Sequence, residues 1–207
     1  DSSAKPEAPP FDITLESFAF DQPDVDQAVF LKYTIHNPNA APLYNCFVGL
    51  FTDWDIGPDA FANSVAFSAG DSVMYATVSN DPTLPSVAVV PMGALYSLFA
   101  VDNSHDGAED PLNFGIYHDS GTNANGFTDE EKSWALHAGL DKTAIALADI
   151  STVCTSGPYT VPADGTIVAG FIIAYGDSVD DLQMQVAAAR ALNVFAVSDA
   201  DTLQSQN

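Results

Sequence analysis

The sequence predicts a mainly β protein: an antiparallel β-sandwich, jelly-roll or immunoglobulin-like, with two short helices. Three observations carry that prediction. Apolar residues recur in short runs, several in strict alternation, as half-buried strands require. Pro, Gly, Asn and Asp punctuate the runs at close intervals, the pattern of strands joined by turns. The acidity is almost entirely aspartate: 23 of the 28 acidic residues are Asp. Aspartate suits turns and loop ends, whereas Glu suits helices.

Residues 1–10 (DSSAKPEAPP) read as an extended N-terminal arm. Residues 11–20 alternate Phe11, Ile13, Leu15 and Phe18 with polar neighbours, and residues 28–36 (AVFLKYTIH) form a second strand stopped by Asn37-Pro38-Asn39. The nearly continuous apolar run at 46–51 (CFVGLF) predicts a central strand. Further strands are expected at 65–67, 72–78, 86–90 and 94–101, and the strongest at 166–175 (TIVAGFIIAY).

The helices are expected at 128–140 and 178–195. Thr128 with Glu131 three residues on forms a capping box. Ser178 serves as N-cap, with Asp180 and Asp181 in the first turn, where the helix dipole favours acids. Val179, Leu182, Val186 and Ala189 recur at helical spacing and predict a face packed on the sheet. The economical organisation is one domain over residues 11–195 with a C-terminal tail at 196–207.

Five Lys and Arg oppose the acids, for a formal charge of −23. That balance disfavours nucleic acid, which is bound by neutralising phosphates with basic side chains, and an anionic membrane surface. No apolar run reaches the ~20 residues of a membrane span. The chain starts at Asp1 without Met or a signal peptide, as a mature or excised segment does. Cys46 and Cys154 lack metal-type spacing; they are read either as a disulfide, permitted by an oxidising compartment, or as two buried thiols.

Two acidic clusters are candidate Ca²⁺ sites, because Ca²⁺ takes 6–8 oxygen ligands at about 2.3–2.6 Å. Asp53, Asp55 and Asp59 alternate around Gly57, with Asn63 just beyond; the segment lacks the register of an EF-hand. Asp102, Asp106 and Asp110 follow the strand ending at Val101, with His105, Glu109, His118 and Asp119 nearby. The alternative is that these Asp side chains cap backbone N–H groups. Trp54, between two Asp, is the candidate for an exposed sugar-stacking residue. Trp134 lies on a predicted helix and is expected to pack.

Three stretches, residues 51–57 (FTDWDIG), 127–140 (FTDEEKSWALHAGL) and 176–191 (GDSVDDLQMQVAAARA), together resemble an uncharacterised β-sandwich module of large secreted bacterial cell-surface proteins. Some of those proteins carry subtilisin-like peptidase domains or type IX secretion signals elsewhere. The resemblance spans residues 11–195. It implies export and a place outside any catalytic domain, and it brings no established activity.

No nucleophile elbow, zinc-peptidase helix or phosphate loop is present in the sequence. The expectation is therefore a non-catalytic, secreted or cell-surface structural or adhesive protein, stabilised by calcium. Its partner is expected to be a copy of itself or a neighbouring surface protein, with strand addition building a filament or tube. The alternative is a carbohydrate-binding accessory of a secreted hydrolase, with a glycan as partner.

Overall fold

The computed structural model describes residues 11–79, 81–103, 129–140, 142–192 and 194; the side chains of 129–131 are not among them. Ten strands and two α-helices follow in the order β1 (Asp12–Ala19), β2 (Ala28–Asn37), β3 (Leu43–Trp54), β4 (Asn63–Ser68), β5 (Val73–Val78), β6 (Ser86–Pro91), β7 (Leu95–Asp102), α1 (Asp129–His137), β8 (Ile145–Ala148), β9 (Ile150–Val161), β10 (Gly165–Gly176) and α2 (Val179–Leu192). A single 3₁₀ turn, Ala60–Ala62, precedes β4.

The strands form two antiparallel sheets. One has seven strands in the order β1-β2-β10-β6-β5-β4-β8, and the other has three in the order β3-β9-β7. Strand alternation sorts side chains into three apolar layers. Phe30, Val90 and Ile172 face α2 and meet its Leu182, Val186 and Ala189. Phe171 and Val89 point the other way, towards Leu98, Ala100 and Cys154 of the small sheet. Phe99, Val101 and Val153 leave the far side of the small sheet and meet Ala135 of α1 and Ala138 just beyond it. The layers therefore run α2, large sheet, small sheet, α1. Among the described residues, no helix is long and apolar enough to cross a membrane.

α2 begins as its sequence predicts. Ser178 Oγ accepts from the Asp181 N–H at 3.1 Å, and the Asp181 carboxylate accepts from the Asp177 N–H at 2.9 Å. The helix presses close to the sheet because Gly176 has no side chain: a Cβ there would meet the backbone N of Leu182. At the far end Arg190 donates to the carbonyl of Asp71 at 2.6 Å.

Two expectations need correction. The run at 46–51 belongs to β3, which is an edge strand of the small sheet; β9 is the central one. Its apolar character reflects two covered faces, one against the core through Val48 and Leu50, the other against Leu136 of α1, which sits where a Cβ of Gly49 would be. β9 itself, and β8, were not expected from the sequence. The second correction concerns the cysteines, which are both free thiols. Cys154 lies opposite Leu50, whereas Cys46 lies opposite Tyr159. Four positions along β3 at about 3.3 Å each separate them, roughly twice a disulfide's Cα span. Burial pushes the Cys154 thiol up to about 12, with Arg190 pulling weakly the other way.

Candidate functional site: the open side of the sandwich

The two long sides of the sandwich are finished differently. On one, the backbone edge of β7 is occupied: Leu98 N–H donates to the Gly139 carbonyl at 2.9 Å and Ala100 N–H to the Lys142 carbonyl at 2.8 Å. Phe99 and Lys142 form a parallel bridge there. The chain leaving α1 thus seals β7. On the other side, β1 pairs only with β2, and β3 only with β9. Among the described residues both outer edges are unpaired, and unpaired edges are templates for further strands.

Between those edges lies an apolar groove of about 700 Å³. Phe11, Ile13, Ile35 and Ile167 line it from the large sheet, and Phe47 and Phe51 from β3. Lys132 and Leu136 of α1 stand on its wall. β1 extends beyond the cover of the small sheet, so all eight of its residues are exposed. Ile13 is 59% and Leu15 53% exposed, in a position where an inward-facing strand residue is ordinarily buried.

Charge along β1 is neutralised within the sheet. Asp12 lies directly opposite His36, and Glu16 directly opposite Lys32. Lys32 Nζ reaches Glu16 Oε2 at 2.8 Å. His36 Nδ1 is 3.1 Å from Asp12 and Nε2 3.3 Å from Asp164, so an imidazolium donates to both carboxylates. The hydrogen bond with Asp12 is the largest influence and raises the His36 pKa above its ordinary value; desolvation opposes it and Asp164 adds to it.

The first acidic cluster divides. Asp53, at the end of β3, turns to the neighbouring strands: its Oδ1 accepts from Ser151 Oγ at 2.7 Å and from Asn103 Nδ2 at 3.1 Å. The same Asn103 amide donates to Asp149 Oδ1 at 3.1 Å and Ser151 Oγ at 2.9 Å. Asp59 caps the 3₁₀ turn by accepting from the Phe61 N–H at 3.1 Å. Asp55 is exposed beside Gly57, whose φ of 79° makes the turn between them possible. Asn63 is fully buried and donates to the carbonyls of Trp54 and Ala60, closing the loop from within.

Of the second cluster, Asp102 is 8% exposed at the end of β7. Asp106 and Asp110, with His105, Glu109, His118 and Asp119, lie outside the described residues, as do Thr128 and the expected arm and tail. Among the described residues no three His, Cys, Asp or Glu side chains gather closely enough to hold a metal ion. The donors that do converge, Asp53, Asp149, Ser151 and Asn103, are all oxygen-bearing and of the hard type Ca²⁺ takes. Asn103 presents its amide nitrogen to them while its Oδ1 is buried without a partner.

Sequence reasoning missed Asp149 and Ser151, two residues apart at the start of β9, and did not connect Asn103, just after β7, with Asp53. Trp54 is half-buried rather than exposed. Its Nε1 donates to Thr152 Oγ1 at 2.8 Å and its ring packs against the inter-sheet core. Trp134 packs edge-on against Phe99 with centroids 4.7 Å apart. Set against known proteins, the chain matches no family model, and no curated protein is recognisably similar to it.

Proposed function

We propose that this chain is a non-catalytic structural or adhesive module of an extracellular or cell-surface protein, and that it works by associating through the open side of its sandwich. The observation that carries the reading is the asymmetry of the edges. β7 is hydrogen-bonded shut by the chain's own backbone, while β1 and β3 flank an apolar groove with their outer edges unpaired among the described residues. Long exposed edges with apolar residues are normally blunted by charge, proline or a covering segment. Here the carboxylates on β1 are instead paired with Lys32 and His36 of β2.

Export is supported by the resemblance of residues 51–57, 127–140 and 176–191 to modules of secreted surface proteins, and by an acidic surface suited to a calcium-rich medium. Calcium belongs to this reading as a stabiliser of the loop ends, with Asp53 and Asp149 as its nearest carboxylates. The carbohydrate alternative depended on an exposed Trp54, and that indole is turned into the protein.

Light scattering and sedimentation of the whole chain over a wide concentration range test the reading, in Ca²⁺ and in Mg²⁺ at matched ionic strength. Association that grows with concentration is the expected result. A single monomeric species throughout overturns it.

A further inference from the structure

We propose that β1 pairs antiparallel with β1 of a second copy about a two-fold axis passing beside Leu15, joining the two seven-stranded sheets into one. The inference rests on the associative reading above and names its partner and register.

A two-fold perpendicular to the sheet keeps each face on its own side, so only residues of the same face meet across the seam. Centring it on Leu15 sets Leu15 against Leu15, Ile13 against Ser17, Thr14 against Glu16 and Asp12 against Phe18. No carboxylate meets another. Moving the centre to Thr14 brings Asp12 against Glu16 twice, and moving it to Glu16 brings Glu16 against itself; like charges directly opposite are destabilising. The strand is therefore self-complementary in one long register and repulsive in its neighbours.

Two further observations favour a second copy over an unlike strand. Repulsion is the main obstacle to self-association in a chain of charge −23. It is reduced locally here, because Lys32 pairs with Glu16, and His36 when protonated with Asp12, on both copies. The other face continues without interruption: Ile13 lies in register with Ile35, and Ile35 with Ile167. The partner's Leu15 and Ile13 extend that apolar floor.

Cysteine pairing tests the register. In a Cys46→Ser background, Leu15→Cys should form a covalent dimer under mild oxidation, since directly opposite Cβ atoms lie about 4.5–5.5 Å apart. Cys154 is buried and its thiol pushed up to about 12, so it does not compete. Thr14→Cys and Glu16→Cys alone should not cross-link, whereas a mixture of Ile13→Cys and Ser17→Cys copies should. Leu15 is 53% exposed, so Leu15→Lys retains the fold while setting two ammonium groups face to face. It should weaken the dimer about tenfold or more. Cross-linking strongest at Thr14→Cys or Glu16→Cys overturns the register. Association unchanged by Leu15→Lys overturns the β1 seam and leaves the associative reading standing. Absence of any association overturns both.

Discussion

Glu16 and Lys32 sit directly opposite one another on β1 and β2, with 2.8 Å between Oε2 and Nζ. One of the chain's five Lys and Arg is placed on the carboxylate of its most exposed strand. Cross-strand pairs of this kind contribute roughly 0.2–1 kcal/mol each. Lys32→Glu reverses the pair, and the unfolding midpoint in urea should fall by an amount equivalent to about 1 kcal/mol. Self-association should weaken more than stability does, because both copies carry the change into the one seam of the dimer. A variant that associates like the parent would show that charge on β1 is irrelevant to assembly.

His36 gives the second expectation, a dependence on pH. Its folded-state pKa is raised by Asp12 and Asp164 above the ordinary value of 6.5. Stability from the imidazolium is therefore fully present below that ordinary value and is lost as pH rises through the raised one. Denaturation midpoints and dimer content should both decline on the alkaline side of 6.5, and His36→Gln should remove that part of the slope. A ring titrating at or below 6.5 by NMR would contradict the arrangement.

Thiol chemistry separates the two cysteines. Native protein should show slow or no reaction at Cys154, which is buried, and faster reaction at partly exposed Cys46. Denatured protein should show two thiols, and its mass should equal that of the fully reduced chain. One bridge, two hydrogens lighter, would require β3 and β9 to slide by four positions.

Gly176 predicts a packing effect. A Cβ there would run into the backbone of Leu182 as α2 turns back over the sheet. Gly176→Ala should cost about 1–3 kcal/mol, the usual range for overpacking a tight contact. An unchanged melting temperature would mean that α2 rides higher above β10.

Calcium should raise the melting temperature beyond what Na⁺ or Mg²⁺ does at equal ionic strength. A Ca²⁺ concentration a hundredfold above the dissociation constant adds about 2.7 kcal/mol per independent site. Asp53→Asn should reduce the rise, because Asp53 converges with Asp149 on Asn103. Asp59→Asn should leave it, since Asp59 already caps its own turn. Equal melting in all three salts would reduce the acidic loops to a solvated surface.

Much of the fold was legible in the sequence because most strands obey a period of two and α2 carries its own N-cap and a buried stripe. β9 was not, for a physical reason. Its Ser151, Thr152, Thr155 and Ser156 are all buried, so the central strand of the small sheet reads as polar. Small hydroxyl residues fit where core and helix press from both sides; Ser156, for example, bonds Tyr159 and the Ala94 carbonyl. The β-branched and Thr-rich content of 151–160 was the available signal. Missing β9 also misplaced Cys154 and made β3 look central. The Asp53 cluster was half legible: the carboxylate stood out, but Asn103 and Asp149 meet it only through the ordering of β3, β9 and β7.

The side opposite β7 carries two edges that no further described strand covers, and they belong to different sheets. A seam made by β1 on itself consumes that edge in both copies and stops, yielding pairs. The outer edge of β3 is left on each half of such a pair, turned towards the two-fold partner's own across the apolar floor. Whatever occupied those β3 edges would bind in a separate event with its own affinity, inside the pair rather than at its ends.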